Sequence, residues 1–99
     1  MNTITVTLDN FKGVRTVRTG TWVKVSEDAT IFETLKAGNV ELEIGQLIMK
    51  LIPVQIIVNL RATYYTRMEV YSVQKNGSLK TFYPANNFEF LEVARNIAA

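Results

Sequence analysis

The sequence predicts an α+β domain spanning residues 1–99: a single small antiparallel or mixed β-sheet of about 5–6 strands, a short helix near 31–37 and a C-terminal helix near 87–98. Three observations carry this prediction. Apolar and polar residues alternate in Thr3–Leu8 and again in Val54–Leu60. Asn76-Gly77 is a favoured hairpin turn. Phe90, Val93, Ala94 and Ile97 recur at the spacing of one helix face. A small β-barrel with an appended helix is the alternative architecture.

Each element has its own local reason. Thr3, Thr5 and Thr7 alternate with Ile4, Val6 and Leu8, which predicts a half-buried strand with the threonines outward. Asp9 to Gly13 supplies turn residues. Val14–Thr19 reads as a second strand, and Thr21–Ser26 as a third or as its continuation past Gly20. Thr30 with Glu33 has capping-box spacing, Ile31, Phe32 and Leu35 form an apolar face, and Gly38 suits a C-terminal cap. These signals predict the first helix. Val40, Leu42 and Ile44 then alternate with Glu41 and Glu43 as a strand. Leu47–Ile52 is apolar throughout and ambiguous, and Pro53 marks a strand start or a bulge. A two-residue turn at Asn76-Gly77 would set Lys75 against Ser78, Val73 against Lys80, Tyr71 against Phe82 and Val70 against Tyr83. Asn86 and Glu89 cap the C-terminal helix, with a strand at Phe88–Leu91 as the alternative.

Composition narrows the chemistry. The 99 residues include no His and no Cys. That removes disulfides, thiolate and imidazole metal ligands, thiol nucleophiles and a His general base. There is no P-loop and no GxGxxG, so no cofactor is expected. Charges total 11 Lys+Arg against 9 Asp+Glu, a net of +2. They run basic, acidic, basic along the chain: Lys12, Arg15, Arg18 and Lys24 come first. Glu27, Asp28, Glu33, Glu41 and Glu43 follow, and then Lys50, Arg61, Arg67, Lys75 and Lys80. Such a layout permits one basic and one acidic face. The start of the chain has no basic, apolar leader pattern, and Ile44–Leu60 is too polar to span a membrane. A cytoplasmic protein is therefore expected, in the host cell if the chain is of phage origin.

The passage from Thr21 to Gly38, TWVKVSEDATIFETLKAG, resembles the strand-to-helix passage of β-grasp (ubiquitin-like) domains, and the likeness covers residues 1–38. It implies an N-terminal hairpin leading into a helix held by the sheet. Within that fold, the conjugating branch ends in Gly-Gly, whereas this chain ends Ala98-Ala99. The ferredoxin branch needs cysteines. The branch compatible with these residues is that of adaptors and interaction modules.

Four surfaces are candidates for function. Strand parity places Arg61, Tyr65, Arg67, Tyr71 and Lys75 on one side of the hairpin, and the expected turn register adds Lys80 and Phe82. Aromatic and basic residues so interleaved suit single-stranded DNA or RNA. On that reading the opposite side, with Tyr64, Met68, Val70, Leu79 and Tyr83, is the core. Lys12, Arg18, Trp22 and Lys24 form a second basic–aromatic set, equally well explained as a charged edge strand. Glu41 and Glu43 are a carboxylate pair with too few oxygen ligands for a metal. Ile48, Met49, Ile52 and Ile57 exceed what one sheet face can use; either this strand is sandwiched or these residues meet another subunit.

The resulting expectation is a non-catalytic, oligomeric protein-interaction module. Its small size suits a phage or mobile-element accessory or inhibitor that binds a partner protein. Its partners would be another protein or itself, with no membrane. A single-stranded DNA or RNA binder and a virion or assembly subunit are the alternatives.

Overall fold

The computed structural model of the protein describes residues 2–98; Met1 and Ala99 lie outside the described residues. Seven strands and one helix follow in the order β1 (Thr3–Leu8), β2 (Thr21–Val25), β3 (Phe32–Leu35), β4 (Gly38–Glu43), β5 (Leu47–Val58), β6 (Arg61–Val73), β7 (Leu79–Thr81) and α1 (Asn87–Ala98). The strands make two antiparallel sheets rather than one. β1 pairs with β4, and the larger sheet has the order β3-β2-β5-β6-β7.

The centre of the large sheet is buried on both faces because β5 is apolar at consecutive positions. Leu47, Met49 and Leu51 join Val23, Val25 and Val70 beneath Phe90, Val93 and Ala94 of α1. Ile48, on the opposite face, packs with Trp22 and Val73 against Val6, Leu8 and Leu42 of the small sheet. The layers are therefore helix, five-stranded sheet and two-stranded sheet. This arrangement resolves the apolar excess of β5 by sandwiching. Ile48 and Met49 are 0% exposed and Ile52 is 6% exposed, so these three expected interface residues are core; only Ile57 stands in solvent.

Several local expectations hold. The threonines of β1 point outward while Val6 and Leu8 are buried. Asn86 Oδ1 accepts the Phe88 N–H at the start of α1, and the predicted apolar stripe of α1 is the one that packs.

Other local expectations are corrected. Residues 31–37 contain β3 and no helix. The polar residues read as a helix cap build the β2–β3 turn instead. Asp28 Oδ1 accepts from Ser26 Oγ at 2.8 Å and Thr30 Oγ1 at 2.7 Å, and Ser26 Oγ accepts the Ile31 N–H at 3.0 Å. Such side-chain bonds offer the backbone a turn in place of a helix. Glu33, read as the box partner of Thr30, lies opposite Lys24 across the strands, with 3.6 Å between their charged groups.

Val14–Thr19 is likewise not a strand. Residues 9–20 loop over the middle of β5, touching it through the isolated Val14↔Val54 bridge. Gly13 makes this approach possible, since a Cβ there would lie 2.2 Å from the Pro53 carbonyl oxygen. Pro53 lies inside β5 without breaking its ladder with β6. Its carbonyl accepts from Val14, so its nitrogen also points to that side and away from β6.

The last correction concerns register. Gly77, at φ 82°, closes a loop of Lys75-Asn76-Gly77, with Gly77 N–H donating to the Gln74 carbonyl and Gln74 N–H to Ser78. The strands then pair Tyr71↔Thr81, Ser72↔Lys80 and Val73↔Leu79, one residue away from the two-residue turn. A slip of one reverses every side chain on β7.

Candidate interaction surface

β2 ends opposite Leu51 and β7 ends opposite Tyr71, yet β5 and β6 continue pairing to Val58↔Arg61. The result is a two-stranded arm that runs roughly 20 Å beyond the sheet from Ile52 to Val58. It accounts for the elongated outline of 52 × 27 × 19 Å and for a radius of gyration of 14.2 Å, where a compact chain of this length gives about 13 Å.

The arm closes at Asn59-Leu60, with φ of 50° and 62°. Both values belong to a type I′ turn. Asn tolerates that conformation well, whereas Leu does so at a steric cost. Leu60 is 99% exposed and Ile57 is 70% exposed, beside exposed Ile56, Val58, Tyr64 and Tyr65. The arm thus presents large apolar side chains to water on both of its faces.

Its root is fixed by the 9–20 loop. The Arg18 guanidinium stacks on the Tyr64 ring at 3.4 Å from the centroid. Phe11 meets Trp22 edge-on at 5.6 Å, and Lys50 Nζ lies 4.6 Å from the Phe11 centroid. Trp22 Nε1 donates to the Asp9 carbonyl at 2.9 Å. On the same sheet face, Glu69 receives the Tyr71 hydroxyl at 2.5 Å on one oxygen and Arg67 at 3.1 Å on the other. Burial and then the Glu69 hydrogen bond push the Tyr71 hydroxyl pKa up to about 12.

The two edges of the arm differ. On the β5 side Val14 donates to the Pro53 carbonyl and accepts from Gln55. On the β6 side Phe82 N–H reaches the Val70 carbonyl and pairing then stops. From Arg61 to Glu69 this edge is open. A groove of about 520 Å³ lies along it, lined by every residue from Tyr65 to Tyr71 and walled by Phe82, Tyr83, Pro84 and Leu91. Lining by consecutive residues, which belong to alternate faces, locates the groove at the strand edge itself.

The aromatic–basic set expected on one face is divided by this geometry. Arg61, Tyr65, Arg67 and Tyr71 do share a side of β6. Tyr71, however, packs with the core beneath the small sheet. Lys75 is in the turn. Lys80 and Phe82 lie opposite Ser72 and Val70, hence on the helix side of the sheet, and Leu79 moves to the side of Val73. Glu41 and Glu43 are exposed on the small sheet, where Glu41 accepts from Thr5. No cluster of three or more acidic residues able to hold a metal occurs among the described residues. The sequence reading missed the free edge, because only the strand ends define it.

Comparison with family models, curated proteins and solved structures gave no significant match. Among the described residues no helix is long and apolar enough to cross a membrane.

Proposed function

We propose that the protein acts by recognition, as a module that binds another protein through the β5–β6 arm. One observation carries this reading: a hairpin runs out beyond the covered centre of the sheet and holds Ile57, Val58, Leu60 and Tyr65 in solvent beside an open strand edge. Apolar side chains at an arm tip contribute nothing to the core. Strand edges left unpaired are templates for another strand, and a binding partner can use both features together. Accessory, inhibitor and assembly-subunit roles all fall within this reading, since each completes the edge with a neighbour.

A photo-crosslinking residue placed at Leu60, and at exposed Val17 as a control, tests the reading in cells. The expected result is a protein adduct specific to the arm position. Adducts with nucleic acid, which the Arg61–Tyr65–Arg67 side would favour, or the absence of any arm-specific adduct would overturn it.

A further inference from the structure

Resting on the arm as interaction surface, we propose that its partner is a second copy of this chain, joined edge to edge along β6 about a twofold axis at Tyr65. In a strand the N–H and C=O of one residue point to the same side. The Val70 carbonyl points to the β7 side, where it accepts from Phe82. Alternation then aims the backbone groups of Met68, Thr66, Tyr64 and Ala62 at the open edge. Those of Tyr65, Arg67 and Glu69 face β5.

An antiparallel twofold at Tyr65 sets Tyr64 against the second copy's Thr66 and Ala62 against its Met68. Each of these pairs exchanges hydrogen bonds, so every outward backbone group from Ala62 to Met68 is satisfied. Side chains then agree with the backbone. Arg61 falls opposite the second copy's Glu69, on the same face and twice over by symmetry. Tyr65 meets its own copy as a non-hydrogen-bonded pair, in which side chains approach most closely.

Neighbouring registers fail for stated reasons. A shift by one position turns the two faces against each other. Centring on Tyr64 opposes Arg61 to Arg67 twice. Centring on Thr66 requires Ala62 to pair with Val70, whose carbonyl already accepts from Phe82. The Tyr65 register uses the open edge from end to end. Its pairing ends at Arg61 and Glu69, so the Leu60 turn comes level with Val70 and lies against Phe82, which already holds the Val70 carbonyl.

The test is light scattering during size-exclusion chromatography of the full chain, across a concentration series. The variants are Arg61→Glu, Glu69→Arg, an equimolar mixture of the two, and Thr66→Pro. The wild type is expected to dimerise. Each charge variant alone opposes like charges at both symmetric positions and should weaken the dimer about tenfold. The mixture pairs unlike charges at both positions and should restore it. Thr66→Pro removes a donor from the open edge but none from the β5–β6 ladder, so it should give a monomer with unchanged circular dichroism. It also covers the case in which Glu69→Arg misfolds through loss of its Tyr71 and Arg67 bonds. A wild type that stays monomeric, a mixture of folded variants that stays weak, or a dimeric Thr66→Pro would overturn the proposal. A monomer whose Leu60 position still crosslinks to other proteins overturns this inference alone; loss of the protein crosslink overturns the interaction reading as well.

Discussion

Tyr71 is the one residue at which protonation, packing and the candidate surface meet. Its phenol is held neutral by burial and by donation to Glu69, with a pKa of about 12. In an unfolded chain a tyrosine ionises near pH 10. Stability contributed by the neutral phenol is therefore complete below about pH 10 and is lost as pH rises through 12. Tyr71→Phe should cost about 1 kcal/mol at neutral pH, by loss of the hydrogen bond, and should flatten the decline in stability above pH 10. Urea denaturation at a series of pH values checks both. Asp28 works in the opposite sense. Hydrogen bonds from the Thr30 hydroxyl and then Ser26 lower its pKa from the ordinary value of 3.8. Its contribution is present above that pH and is lost on acidification, so Asp28→Ala should reduce the acid sensitivity of the protein. Gly13 is a steric case. Gly13→Ala should destabilise by about 1–3 kcal/mol, because the new Cβ meets the Pro53 carbonyl and the loop must lift from β5.

At the scale of elements, β1 and α1 are legible in the sequence because their signals are local and unopposed. The threonine alternation of β1 and the Asn86 cap with the Phe90–Ile97 stripe of α1 need no distant partner to be read. The 31–37 segment carries an ambiguous signal: Ser26, Asp28 and Thr30 can cap a helix or close a hairpin, and pairing of β3 with β2 selects the hairpin. The β6–β7 hairpin shows how little separates registers. Asn76-Gly77 is compatible with a two-residue turn, but placing Gly77 in the left-handed region after Lys75-Asn76 moves Lys80 and Phe82 to the other face. The Asn59-Leu60 turn carries its own prediction. Leu60→Gly should raise the stability of the isolated chain by about 1 kcal/mol, since a glycine adopts the required φ of 62° freely. A rise in the urea midpoint checks it. If Leu60 belongs to the contact surface, the same change should weaken self-association.

The whole molecule is a three-layer body with an arm, and its stability should be distributed accordingly. Amides of Val23, Ile48 and Met49, covered on both sides, should exchange slowest in hydrogen–deuterium exchange. Amides of Ala62, Tyr64, Thr66 and Met68 should exchange fast in dilute protein. They should become protected as concentration rises, whereas protection independent of concentration would indicate an edge closed within the monomer.

Legible along the chain are the absence of His and Cys chemistry, the outward face of β1, the amphipathic helix α1 and a β5 too apolar for a single buried face. Those properties reside in residue types and short spacings. Only in the folded molecule is it settled that β5 is sandwiched, that Ile48, Met49 and Ile52 are core, that Lys80 and Phe82 part from Tyr71, and that β6 keeps an open edge from Arg61 to Glu69. Each of these depends on where a neighbouring strand stops or by how many residues it slips. The β2–β5 and β1–β4 pairings join segments far apart in the chain, and the β6–β7 register turns on a single residue of the Lys75-Asn76-Gly77 loop, so no short spacing of residue types encodes them.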